Sequence, residues 1–331
     1  MTRKITKKWG RAFGRFFGLA MVLVLVLYGL GRFVYPLQAY DLSNRLALWK
    51  AGAHPFQSGD LQGYEKNFCD PADPEARGCT CVALIHGLGD DVFTWKKVLT
   101  APSKDWKKPV RIFAIDVEHE SHYTPGTPLE LYEVRNQAHQ IALGLKPLCP
   151  SFVVVGNSLG GWIATWMAIQ NELPIQRLVL SSAAGLRDST TTASALFKDL
   201  TEDKIKEFQR LAYFKPKEIP ESVWQKVFEK LNGAHLDKIV EAQQEGDLLD
   251  DSLNPQKDVP KNLKKAVIHV PTMILWGEAD RVLPMSAGKL LQRAIPGSIW
   301  QQLPECGHIP QKECTESYIS ALNVMLTFGS L

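Results

Sequence analysis

The stretch from residue 152 to 170 constrains this chain more than any other. Phe152-Val153-Val154-Val155 is a short β-branched run, Gly156-Asn157-Ser158-Leu159-Gly160-Gly161 follows, and an apolar stretch with no breaker continues to Ile169. The composition predicts a strand, a turn and a helix in immediate succession. Reversing direction within so few residues needs a sharp turn, and glycine on either side of Ser158 lets strand and helix backbones pass without a Cβ between them. Such a turn lifts the Ser158 hydroxyl clear of a sheet and turns the first N–H groups of the helix toward developing negative charge.

Other short apolar runs occur at 82–85, 110–115, 152–155, 178–180 and 273–275, with a weaker one at 298–303, and helical segments lie between them. Runs of this brevity, bounded by turn residues, predict a mostly parallel sheet covered by helices on both faces. A helix is expected at 41–50 with Asp41 as its N-cap, a strand at 64–68, and a final helix at 313–328. Between 185 and 266 the alternation stops. Amphipathic helices are expected there at 202–211, 221–231 and 236–244, with Leu196, Phe197, Leu200, Ile205, Phe208, Leu211, Tyr213 and Phe214 at near-helical spacing. The expected organisation is therefore a sheet domain in two parts, 37–185 and 267–331, interrupted by a helical lid at 186–266.

A serine hydroxyl is a weak nucleophile and needs an adjacent base that a carboxylate orients. Downstream of Ser158, Asp280 lies just past the 273–275 run, and His308 lies in a loop before the last helix. The order Ser, Asp, His suits a strand–turn–helix serine. Glu278 is the competing acid; two residues nearer the strand, it is expected to shape the turn. Acyl transfer also needs two amide donors for the oxyanion. Leu159 N–H is one candidate, and Leu88 N–H in His86-Gly87-Leu88-Gly89 is the other, with His86 read as a structural residue of that turn.

Together, His86-Gly87, Gly156 to Gly161, Trp276-Gly277-Glu278-Ala279-Asp280 and Cys306-Gly307-His308-Ile309-Pro310 resemble the α/β-hydrolase superfamily. The likeness is greatest to the branch of membrane-anchored monoacylglycerol lipases, bacterial esterases and meta-cleavage-product C–C hydrolases. It covers about residue 64 to the C-terminus. It implies an eight-stranded, mostly parallel sheet, a helical lid after strand six, and neither cofactor nor metal. A serine nucleophile sets the chain apart from relatives that attack with aspartate. One departure stands out: where the family has Asp-x-Pro-Gly-x-Gly-x-Ser, this chain has Asp116 to Tyr123 without the proline or glycines. His119 and His122, with Glu118 and Glu120, could suggest a metal there, but no second ligand cluster accompanies them and a solvated loop is expected.

Seven of the 38 Lys and Arg precede the first acid, Asp41, leaving 31 basic against 35 acidic residues for the remainder. A body without cationic surplus argues against nucleic acid as a partner. Residues 16–31 carry no charge, and six cations stand ahead of them. A transmembrane anchor within 1–36 is expected, with the N-terminus cytoplasmic and the catalytic domain exported to a periplasmic, extracellular or luminal space. A cleaved signal peptide and a buried core helix are the alternatives. Six cysteines suit an exported domain. Fifteen pairings are open; strand neighbourhood in the superfamily fold suggests Cys81–Cys149, with Cys306–Cys314 flanking His308 and Cys69–Cys79 closing a turn-rich segment. The expected activity is hydrolysis of a hydrophobic or lipid carboxylic ester through an acyl-enzyme. C–C bond hydrolysis, weakly favoured by Asn157 beside the serine, and a noncatalytic ligand-binding version of the fold are the alternatives.

Overall fold

A computed structural model describes residues 35–69, 79–117, 123–187, 193–243, 249 and 268–329. Eight strands form one sheet: β1 (Ala53–Ser58), β2 (Leu61–Asn67), β3 (Thr80–Ile85), β4 (Val110–Asp116), β5 (Phe152–Asn157), β6 (Ile175–Ser181), β7 (Thr272–Gly277) and β8 (Ile299–Leu303). Their spatial order is β1-β2-β4-β3-β5-β6-β7-β8. β1–β2 and β2–β4 pair antiparallel; every pair from β4 to β8 is parallel. This is the eight-stranded, mostly parallel sheet that the resemblance implies.

The continuous apolar runs follow from burial on both faces. Phe152 and Val154 point into one core while Val153 and Val155 point into the other, and β3, β4 and β7 alternate the same way. Against the first face pack α2 (Val134–Leu145), α3 (Leu159–Gln170) and α7 (Met285–Ala294), through Ile141, Ile163, Met167 and Leu291. Against the second pack α1 (Pro36–Lys50) and α8 (Thr315–Thr327), through Leu48, Tyr318 and Leu322. Between β6 and β7 the chain forms α4 (Glu202–Ala212), α5 (Glu221–Gly233) and α6 (Leu236–Ala242). Thr201 caps α4 by accepting from Lys204 N–H, with Glu202 and Asp203 in its first turn.

Three expectations change. The first helix begins at Pro36, five residues before Asp41, because proline at the first helical position gives up an N–H that would have had no partner. β1 was not anticipated: it is a half-exposed edge strand carrying Pro55, so it lacks the buried β-branched pattern of a central strand. The final helix is interrupted at Cys314, whose non-helical backbone separates the turn Pro310–Glu313 from α8. Among the described residues no helix is long and apolar enough to cross a membrane. The expected anchor lies almost wholly outside the described residues, as do His119, His122, Glu118 and Glu120.

All three suggested disulfides are present, Cys69–Cys79, Cys81–Cys149 and Cys306–Cys314. Cys81 is paired in register with Phe152 across β3 and β5, which brings Cys149 within a Cα separation of 6.5 Å. Closing a loop of 68 residues removes unfolded-state entropy worth about 4 kcal/mol. Replacing Cys81 and Cys149 together by serine is expected to lower the denaturant midpoint accordingly. Mass spectrometry of unreduced protein from its native compartment should find all six cysteines paired; six free thiols there would overturn the export expectation.

Candidate active site

Ser158 stands between the end of β5 and the start of α3 with φ 56° and ψ −120°, a left-handed conformation that a side chain rarely adopts. Close packing holds it there. A Cβ on Gly156 would lie 2.1 Å from Gly160 O, and one on Gly160 would lie 2.3 Å from Ile85 O and 2.4 Å from His86 O. Backbone bonds complete the clamp: Ser158 N–H donates to Ser181 O at 3.0 Å, and Ala184 N–H donates to Ser158 O at 3.0 Å. The strain is a consequence of tertiary contacts that over-determine the turn.

Asp280 and His308 meet in the interior. His308 Nδ1 lies 2.9 Å from Asp280 Oδ2, with both side chains almost wholly buried. The other carboxylate oxygen, Oδ1, accepts from Val282 N–H at 3.0 Å and Leu283 N–H at 2.9 Å. A carboxylate so anchored cannot swing, and it favours the tautomer that carries its proton on Nδ1 and leaves Nε2 as an acceptor. Glu278 is exposed, and its carboxylate is bonded by the Gln302 amide, so it is turned away from His308.

The loops carrying Asp280 and His308 are tied to α4. Its last carbonyls have no partner within the helix. Ala212 O accepts from His308 N–H at 2.7 Å, and Leu211 O accepts from Arg281 N–H at 3.3 Å. Glu313 braces the same loop, its carboxylate accepting from Gly307, Phe214 and Lys215 N–H groups at 2.8 to 3.1 Å. The Cys306–Cys314 bond closes the loop covalently.

Two polar residues there escaped the sequence reading in this role. Asn157 donates to Ser181 O at 3.1 Å and His308 O at 3.0 Å, and its Oδ1 accepts from Gln311 at 3.0 Å. Gln311 also donates to Thr94 at 3.2 Å. Asn157 thus joins the strand that presents Ser158 to the loop that presents His308. Its partners lie up to 154 positions away, and no local signal marks them.

Ser158, His308, Leu88 and Leu159 line one cleft of about 370 Å³. The turn at 86–89 abuts the serine: a Cβ on Gly87 would lie 3.6 Å from Ser158 Oγ. His86 is buried behind the turn, with Nδ1 3.0 Å from Gly87 O and Nε2 accepting from Val117 N–H at 3.1 Å, so it joins the ends of β3 and β4. Much of the remaining wall comes from the segment between β6 and β7. Leu196, Phe197, Leu200, Ile205, Phe208 and Tyr213 face the cleft, whereas Leu211 packs into the core and Phe214 is exposed. The Phe208 ring stands edge-on to His308 with centroids 6.3 Å apart.

Asp90 and Lys312 form an ion pair at the cleft wall, with Nζ–Oδ distances of 2.9 and 3.1 Å. Burial pushes the Asp90 carboxyl up, but the ammonium and His86 more than offset it, and the group is held below the usual carboxylate range. Burial works against the Lys312 charge as well, and Asp90 outweighs it, raising the lysine above its ordinary value.

The profile of the alpha/beta hydrolase family matches residues 82–320. The 2-hydroxy-6-oxononadienedioate/2-hydroxy-6-oxononatrienedioate hydrolase 2 of Pseudomonas putida is 27% identical over 73% of this chain and 85% of its own length. Monoacylglycerol lipase abhd6-A of Xenopus laevis is 26% identical over 73% of each. Among solved structures, a membrane phospholipase A described as a bacterial virulence factor superposes with a TM-score of 0.65 at 19% identity, covering 95% of this chain and all of that one. At that identity the superposition speaks for the fold alone.

Proposed function

The chain belongs to the alpha/beta hydrolase family, and from that premise we propose that it is a serine hydrolase of hydrophobic carboxylic esters. The observation that carries the reading is the buried Asp280–His308 pair opening onto the same apolar-walled cleft as the strained Ser158 turn. In this reading Ser158 Oγ attacks the ester carbonyl while His308 Nε2 takes its proton, and Asp280 keeps the imidazole in the required tautomer. Leu88 and Leu159 N–H groups receive the developing oxyanion. His308 then returns the proton to the leaving alcohol, and water activated by the same imidazole releases the acid. Residues 186–266 serve as a lid whose aromatic and aliphatic wall receives the acyl chain. The basic N-terminus and the uncharged stretch after it anchor the enzyme in a membrane with the catalytic domain exported.

C–C bond hydrolysis is the second reading, since the Pseudomonas putida relative carries that kind of name. Asn157 no longer favours it, because its amide is spent on Ser181, His308 and Gln311. Each CH₂ buried in the cleft contributes roughly 0.8 kcal/mol, about fourfold in kcat/KM. A series of p-nitrophenyl esters from acetate to palmitate, run as monomers, is therefore expected to show kcat/KM rising with chain length until the cleft is filled. A steady fall from acetate onward would leave a small-ester hydrolase instead. Turnover of a dienone with none of any ester would establish the second reading, and failure of Ser158 to take a fluorophosphonate label would point to a noncatalytic protein.

A further inference from the structure

A second cleft, of about 720 Å³, shares part of its wall with the catalytic one: Tyr40, Gln209, Tyr213, Ile219 and Lys312 line both. Its chemistry is different. Lys96, Lys97, Lys215 and Lys217 line it beside Lys312, against two carboxylates, Glu305 and Glu313. Those carboxylates are already engaged. Glu305 lies 3.8 Å from Lys215, and Glu313 is committed to three backbone N–H groups. Lys312 is matched by Asp90.

Lys96, Lys97 and Lys217 have no carboxylate partner among the described residues. Lys96 donates to Asn44 Oδ1 at 2.7 Å, and Lys97 donates to Lys312 O at 2.6 Å, so both ammonium groups meet neutral oxygens. Lys96 is held below its ordinary range by burial first, and then by repulsion from Lys97, Lys312 and Lys217. Gathering like charges in a concave site without counter-charge is unfavourable unless an anion completes it. A phosphate oxygen is the hard, strongly hydrated acceptor that suits ammonium donors.

We propose that this basic cleft receives the phosphate head group of a glycerophospholipid or lysophospholipid whose acyl ester lies at Ser158. The proposal rests on the ester-hydrolase reading and adds the polar end of the substrate to it. The apolar wall takes the chain on one side of the Tyr40–Tyr213 boundary, and the lysines take the anion on the other.

The test compares lauroyl lysophosphatidylglycerol with 1-monolaurin, both below their critical micelle concentrations. Charge-assisted contacts from two lysines should favour the phosphate ester by roughly tenfold or more in kcat/KM, expressed in KM. The double variant Lys97→Met/Lys217→Met should bring the ratio close to one. Raising salt from about 0.05 M to about 0.5 M should shrink the wild-type ratio, because exposed lysines are screened; this arm needs no variant. A wild-type ratio near one, or a ratio that survives both the double variant and high salt, overturns the subsite. If even p-nitrophenyl laurate is not cleaved, the ester reading has failed, and the cleft is judged by calorimetric binding of dodecyl phosphate against dodecyl maltoside. Preference for dodecyl phosphate that Lys97→Met/Lys217→Met removes supports the phosphate site, and no preference overturns it. Binding of inorganic phosphate as tight as that of dodecyl phosphate would assign the cleft to the free anion and overturn the lipid head group.

Discussion

Asp280→Asn is expected to lower kcat for any ester this protein cleaves by about 10⁴-fold while leaving the fold in place. The amide can keep its oxygen on Val282 and Leu283 N–H, where Asp280 Oδ1 now accepts at 3.0 and 2.9 Å. Its NH₂ group would then face His308 Nδ1, which must become the acceptor, and the ring proton moves to Nε2. A protonated Nε2 cannot take the Ser158 proton. Ser158→Ala should remove turnover more completely, by about 10⁶-fold in kcat, and should unfold at an unchanged denaturant concentration. Glu278→Gln is the control, since that side chain is exposed and faces away. Full activity in Asp280→Asn together with loss in Glu278→Gln would reassign the acid and leave the geometry without its proposed meaning.

Gly160→Ala is the second large effect, and it operates through backbone. The added methyl would sit 2.3 Å from Ile85 O and 2.4 Å from His86 O, where no flexible side chain can give way. Either α3 lifts from the end of β3 or the 86–89 turn moves. Leu159 N–H belongs to the first, and Leu88 N–H to the second, so their spacing changes whichever yields. Loss of one oxyanion donor costs on the order of 10² to 10³ in kcat, and overpacking costs about 1–3 kcal/mol in stability. Gly59→Ala is a useful contrast: that glycine has a positive φ but open space around it, so it should lose a little stability and no activity. Wild-type kcat in a folded Gly160→Ala protein would show that the two amides do not act as a preorganised pair.

The strand–Gly-x-Ser-x-Gly–helix succession could be read from residues alone because its requirements are local. A β-branched run, glycines where backbones touch and an unbroken apolar helix all fall within twenty positions. The five central strands β3 to β7 were legible for a similar reason, since burial on both faces leaves continuous apolar runs, whereas the half-buried edge strand β8 left only the weaker run at 298–303. β1 was not, because an edge strand with one face in water and Pro55 within it carries no such signature. Asp41 looks like a cap in isolation, while Pro36 begins the helix.

Ser158, Asp280 and His308 emerged as candidates from their order and their places at strand ends. What joins them did not. Order along the chain cannot tell that Glu278 points outward and Asp280 inward, since both follow β7 within three residues; the turn at 278–280 and the amides of Val282 and Leu283 decide it. Nor could it reveal that Asn157 and Gln311 bridge two loops, or that the carbonyls ending α4 hold His308 and the neighbour of Asp280. The basic cleft is the clearest case. Lys96, Lys97, Lys217 and Lys312 are scattered through a chain whose body is slightly acidic, and only tertiary packing makes them neighbours. Local propensity and hydrophobic period are properties of short windows, so the sequence determined by itself the central strands of the sheet, most of the helices that cover it and the serine's turn. Charge interactions and hydrogen bonds depend on distance in space, and they were decided when the segments packed.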